Sequence, residues 1–234
     1  MGKKKRNAKR VTKVADYLSL FPDDKPSERE RMCSRALKEA QDIRKFEIDL
    51  YWKRTGFFWA FITVVYTALF AVLCKYVDCP IKFSFFVPVI SALSGMGFFF
   101  SVAWHMVNKG SKFWQKNWET HVSLLERDEI GPLYDVYLNP KTTGSRWKPT
   151  EEFDFSVTKV NMWASTLISV VSFFGFVGMN LWLIFKQKEV WYLVLLPSFF
   201  VLLFIFCLIC KSNGNNDIEI EEENFDELNM IHIK

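Results

Sequence analysis

Histidine, cysteine and glycine are all scarce in this chain, with three, five and ten among 234 residues. His105, His121 and His232 lie far apart, and none stands at a metal-ligand spacing from another histidine or a cysteine, so no zinc site is expected. There is no phosphate-cradling glycine loop, no nucleophile elbow and no pair of carboxylates within an apolar segment. Hydrolase and nucleotide-driven pump chemistry therefore lack a foothold, and neither a cofactor nor a nucleic-acid partner is expected. Cys207 and Cys210 have redox-motif spacing but sit inside an apolar block, where a thiol behaves as a small hydrophobe. Cys74 and Cys79 flank a short link; a local disulfide and two free thiols are equally weighted readings of that pair.

The most telling absence is that of charge. No Asp, Glu, Lys or Arg interrupts Phe57 to Cys74, Phe83 to Val107, Met162 to Phe185 or Val190 to Cys210. Each block approaches the roughly 20 residues a helix needs to cross a bilayer, and a soluble core helix rarely runs so far without a charged face. Four spans are predicted, at about residues 57–76, 83–107, 162–185 and 190–210. The first begins more than fifty residues in, behind a long charged segment, so no cleavable signal peptide is expected, and Arg6 stands where a myristoylation signal wants Ser or Thr.

Lys and Arg number 16 before the first span and eight between the second and third, against two in each of the other two links. The positive-inside rule places the two basic segments, and with four spans both termini, in the cytoplasm. The segment before the first span carries net +7 and the tail after Cys210 net −5. The run from Lys3 to Lys13 suits anionic lipid headgroups, although a solvated, disordered arm fits it equally well.

Along the chain, residues 1–26 form a basic arm with one apolar patch, Val14 to Phe21, ended by the breaker from Phe21 to Pro26. Ser27 and Glu30 have capping-box spacing. The apolar stripe of Ala36, Ala40, Ile43 and Leu50, with Asp49 and Lys53 as an i,i+4 pair, predicts a stalk helix running into the first span. After the second span the pattern stays helical through Trp114, Trp118 and Leu125 until Gly131-Pro132, with Gly110 a candidate bend. Residues 27–134 thus read as a hairpin of two long antiparallel helices, 135–155 as a cytoplasmic loop, 156–211 as a second, tight hairpin, and 212–234 as an acidic tail. That tail is expected to be disordered when unbound and a strand or helix when docked. The fold class is an all-α integral membrane protein with four transmembrane helices and a cytoplasmic helical stalk.

Within the spans, Ser91, Gly95, Gly97, Ser165, Ser169, Ser172, Gly175 and Gly178 permit close helix approach, and Asn180 seeks a partner across an interface. Lys53, Arg54, Lys109 and Lys112 mark the membrane border. His105, near the end of the second span, is a candidate pH sensor, with a hydrogen-bonded interfacial histidine the more common case. The aromatic stripe of Trp114 and Trp118 is too rich for one hairpin to bury alone and asks for a partner surface.

The runs Arg44-Lys-Phe-Glu-Ile-Asp-Leu-Tyr-Trp-Lys-Arg54, Gly110-Ser-Lys-Phe-Trp-Gln-Lys-Asn-Trp-Glu119, Gly131-Pro-Leu-Tyr134 and Phe155-Ser-Val-Thr-Lys-Val-Asn161, taken in order, resemble the bacterial RipA-like octameric membrane proteins. The resemblance covers residues 30 to 185 and implies an inner-membrane homo-octamer with no established enzymatic activity. Trp114, Trp118, Gly131, Pro132, Leu133 and Tyr134 are accordingly expected at the subunit interface.

Three functions follow as expectations: a structural or pore-like ring, a channel gated by pH or ligand, and an anchor recruiting a soluble partner through the acidic tail. The channel reading predicts proton-dependent flux across liposomes. Flux at background from about pH 5 to pH 8, where histidine titrates, is the result that removes it.

Overall fold

The computed structural model describes residues 6–11, 14–21, 26–78, 83–131, 133, 136, 148, 150, 153, 155–186, 191–211, 218–219 and 230–233. In chain order these form β1 (Arg6–Val11), α1 (Val14–Leu18), α2 (Pro26–Asp78), α3 (Phe83–Glu129), α4 (Val157–Lys186), α5 (Trp191–Lys211), β2 (Ile218–Glu219) and β3 (Met230–Ile233). Helices α2 to α5 are each long and apolar enough to cross a membrane. The all-helical, four-span body expected from the charge-free blocks is therefore present. The loop expected over residues 135–155 and the two outer links lie largely outside the described residues.

α2 begins at Pro26, one residue before the expected Ser27 cap. Proline is favoured there because its fixed φ already suits a helix and its missing N–H would go unpaired anyway. α3 runs unbroken through Gly110 and ends where Gly131 takes a φ of +78°. The Gly131 N–H reaches back to the Glu126 carbonyl at 3.0 Å, closing the last turn in the left-handed conformation glycine tolerates best.

The chain divides into two compact units. A bundle unit comprises residues 47–114 and 143–212, and a terminal unit comprises 1–46, 115–142 and 213–234. In the bundle unit α3 is the helix the others pack on. Its most apolar window is 39% buried, against 17% in α2, 22% in α4 and 11% in α5. A methyl at Gly97 would lie 2.7 Å from Tyr66 Cζ of α2, and one at Gly95 would lie 2.6 Å from Val201 Cγ2 of α5. These are the close approaches that the small-residue spacing promised; by contrast, Gly175 and Gly178 of α4 have nothing within 4 Å of that position. Two apolar clusters complete the packing, one around Leu69, Tyr76, Ile90 and Leu183, the other around Phe98, Phe176 and Ile205.

In the terminal unit, the patch from Val14 to Phe21 becomes α1 and its following turn. Tyr17 joins Cys33, Leu37 and Ala40 of α2 and Val122, Leu124 and Leu125 of α3 in one buried cluster, with Leu18, Phe21 and Trp118 packed against it. Part of the partner surface that Trp118 required is thus supplied by its own chain. The arm, read either as lipid-binding or as a solvated disordered segment, and the tail, expected to be disordered unless docked, pair with one another over the described residues. β1 is the central strand of a three-stranded sheet, parallel to β2 and antiparallel to β3. Each end supplies backbone hydrogen-bond partners that the other would otherwise find in water.

Gly97→Val should therefore lower the thermal unfolding midpoint in detergent, at a cost of about 1–3 kcal/mol from overpacking against Tyr66. Gly175→Ala, in open space on α4, should leave that midpoint unchanged or slightly raised.

Candidate functional site

The apolar blocks conceal a polar stripe. Along α3, Ser91, Ser94, Gly97, Ser101, Trp104, Asn108 and Ser111 recur every three or four residues, and Ser91, Ser101 and Trp104 have no solvent exposure at all. α4 answers with Asn161, Ser165, Ser172 and Asn180, all buried. Helical residues at that spacing lie on one face, so each stripe is a seam rather than a scatter of small side chains.

The two stripes are joined by hydrogen bonds at successive levels. The Ser91 hydroxyl donates to Asn180 Oδ1 at 2.7 Å. Ser101 and Ser172 share a hydroxyl contact of 3.0 Å, onto which Tyr66 of α2 donates at 2.6 Å. Ser169 donates to the Ser101 carbonyl at 2.9 Å. His105 Nδ1 lies 3.1 Å from Ser165 Oγ and 3.3 Å from Thr166 Oγ1. At one end Asn161 Nδ2 donates to the Tyr51 hydroxyl, and Thr55 donates to Asn108 Oδ1 at 3.5 Å. Interhelical hydrogen bonds in membranes contribute about 0.6 kcal/mol each on average. Their larger effect here is to fix rotation and register, because turning either helix would strand several polar groups in an apolar interior.

The expected border charges fall at this same end. Lys53 pairs with Asp49 at 2.6 Å, as its i,i+4 spacing required. Arg54 donates to Ser111 Oγ at 3.1 Å and lies 4.0 Å from Glu47. Lys109 is exposed and Lys112 half-buried. Lys186, at the end of α4, places its ammonium 5.1 Å from the Tyr76 ring centre and 4.9 Å from that of Trp182, a cation over aromatic faces at the position of an interfacial anchor.

The remaining expected site residues are dispersed. His105 is a hydrogen-bonded histidine between α3 and α4, the plainer of its two readings. Trp114 stays 49% exposed and Leu133 67% exposed, and Gly131 is half-buried; Pro132 and Tyr134 lie outside the described residues. Cys74 is an exposed thiol on α2, and Cys79 is outside the described residues. Sequence reasoning missed Tyr51, Thr55, Ser101, Asn108 and Asn161. The signal was available in the three-and-four spacing of polar residues along α3, which the surrounding phenylalanines mask.

A second polar contact lies in the terminal unit. The Tyr17 hydroxyl and His121 Nδ1 are 2.8 Å apart, with the His121 ring also 5.3 Å from that of Trp118. Burial pushes the Tyr17 phenol up to about 12, with a smaller contribution from Cys33, and burial lowers the His121 imidazole below its usual value. Both groups are therefore neutral near pH 7, and the direction of the hydrogen bond between them follows the imidazole tautomer. Nearby, Arg44 and Glu119 pair at 3.8 Å beside an open cleft of about 380 Å³.

Four apolar helices packed around a hydrogen-bonded seam define a multi-pass helical membrane protein. The model of the octameric membrane protein family (8xMP) matches residues 34–182, and the chain belongs to that family. No curated relative and no solved structure matches it. The family's description names an assembly and not a reaction. Its matched range contains the whole α3 stripe and all but a few residues of α4.

Docking of α1 should depend on pH through His121. An undocked imidazole takes up a proton near pH 6.5, which the buried one resists. Docking is at full strength above that value and weakens as pH falls below it. Amide exchange over residues 14–18, corrected for intrinsic rates, should be faster at pH 5 than at pH 7.5, and His121→Gln should remove the difference. An unchanged difference in the variant would assign it to another group.

Proposed function

We propose that eight copies of this chain form a non-enzymatic structural ring in the cytoplasmic membrane of a bacterium, with both termini in the cytoplasm. The supporting observation is the contrast between the two sides of one subunit. Most polar groups of the α3–α4 seam are buried and hydrogen-bonded across it, and at Gly95 and Gly97 the subunit's interior is too close-packed for a methyl group without a shift of Val201 or Tyr66. Its unspent recognition surface is aromatic. Phe113 and Trp114 are 59% and 49% exposed, edge to face at 5.4 Å, just past Lys109 and Lys112 on the charged side of the expected bilayer border. Lipid chains do not cover aromatic groups there, and a neighbouring copy does.

The orientation rests on the excess of basic residues before the first span and between the second and third. Strand pairing between residues 8–11 and 230–233 supports an even number of crossings, since the two ends must meet on one side. Conduction is the second reading. It places water on the ring axis between subunits, because the interior of each subunit is closed.

Light scattering coupled to size exclusion in a mild detergent should give a protein mass near eight subunits, about eight times 27.6 kDa. The paired substitution Phe113→Ala and Trp114→Ala should shift that mass to smaller species with little change in helix content. A monomeric or dimeric wild type overturns the ring, and an octameric variant moves the interface elsewhere.

A further inference from the structure

The two ends of the chain carry opposite charge and are hydrogen-bonded to one another. Residues 1–13 hold seven Lys and Arg with no acidic residue, whereas residues 211–234 hold seven Asp and Glu against two Lys. β1 pairs with both tail strands, β2 along residues 6–7 and β3 along residues 8–11.

Arg6 pairs with Ile218, Asn7 with Glu219, Lys9 with His232 and Arg10 with Ile231. The backbone register sets no basic residue of β1 directly opposite an acidic one. The tail as a whole nevertheless presents net negative charge to a basic segment. A bilayer containing anionic phospholipid does the same.

The sheet is also small. β2 has two residues and β3 four, below the usual five or six. β1 itself is a poor strand former, with Asn, Ala and Lys among its six residues. Such pairing is readily displaced. Finally, seven peptide steps separate Lys211, the last residue of α5, from Ile218, a tether of at most about 25 Å when fully extended.

We propose that the acidic tail is an internal competitor of anionic phospholipid for the basic arm. The tail holds the arm by strand pairing when the membrane surface is neutral. An anionic surface takes the arm and releases the tail. The partner is the bilayer surface itself, and the inference is independent of the number of subunits in the ring.

Hydrogen–deuterium exchange of the full-length protein in nanodiscs tests this. In discs of phosphatidylcholine, the amides of residues 230–233 should be protected. In discs with about one third phosphatidylglycerol their exchange should rise about tenfold, with residues 33–40 unchanged. The triple variant Lys3→Gln, Lys4→Gln, Lys5→Gln, which leaves the strand residues intact, should keep the tail protected in both discs. Equal exchange of the wild-type tail in the two lipids overturns the proposal. So does a tail unprotected in phosphatidylcholine, which would mean that the ends do not pair, or a simultaneous rise over residues 33–40, which would mean general loosening. A variant that still releases its tail in anionic discs overturns the role of the arm.

Discussion

The hydrogen-bonded seam on α3 is the constraint from which the rest of the bundle follows. Between apolar helices in lipid there is no hydrophobic gain from association, because the hydrocarbon tails are as apolar as the side chains they replace. Helix choice, rotation and register must come from close packing and from polar groups that need one another. Here Ser91, Ser101, His105 and Asn108 face Asn180, Ser172, Ser165 and Thr55. The glycines at 95 and 97 let α5 and α2 close onto the same helix. α3 thus contacts every other span, and the remaining surface of α5 is left to lipid or to neighbours.

This arrangement gives the subunit a polar inside and an apolar outside, the reverse of a soluble domain. It also separates two tasks. The seam settles the fold of one copy, and on the proposed function the exposed Phe113 and Trp114 are left for contacts between copies.

The four spans were legible because length and absence of charge are one-dimensional properties, and blocks such as Phe57 to Cys74 leave no other reading. The end of α3 was legible for a similarly local reason, the left-handed glycine at 131. Partners across helices were not. Ser101 and Asn108 look like ordinary breaks in an apolar run until α4 is laid beside them, and the sequence does not say which pair of spans is adjacent. Trp118 was placed with Trp114 by its spacing, yet α1 covers the former and leaves the latter bare, because a five-residue helix with Tyr17 at its centre is too short to announce itself. The terminal sheet was least legible of all. Its strands are brief, weak in propensity and separated by nearly the whole chain, so it is visible as complementary charge and not as pattern.

Closure of the two ends orders the events of synthesis. The arm leaves the ribosome before its strand partners, with 206 residues between Val11 and Ile218. At usual elongation rates of 5–20 residues per second that interval is about 10 to 40 s. Throughout it the basic segment is without its strand partners, and on the proposed orientation that is the state in which it helps set the direction of the first span. Pairing with the tail becomes available only once all four helices have been made, so a formed sheet marks a completed chain.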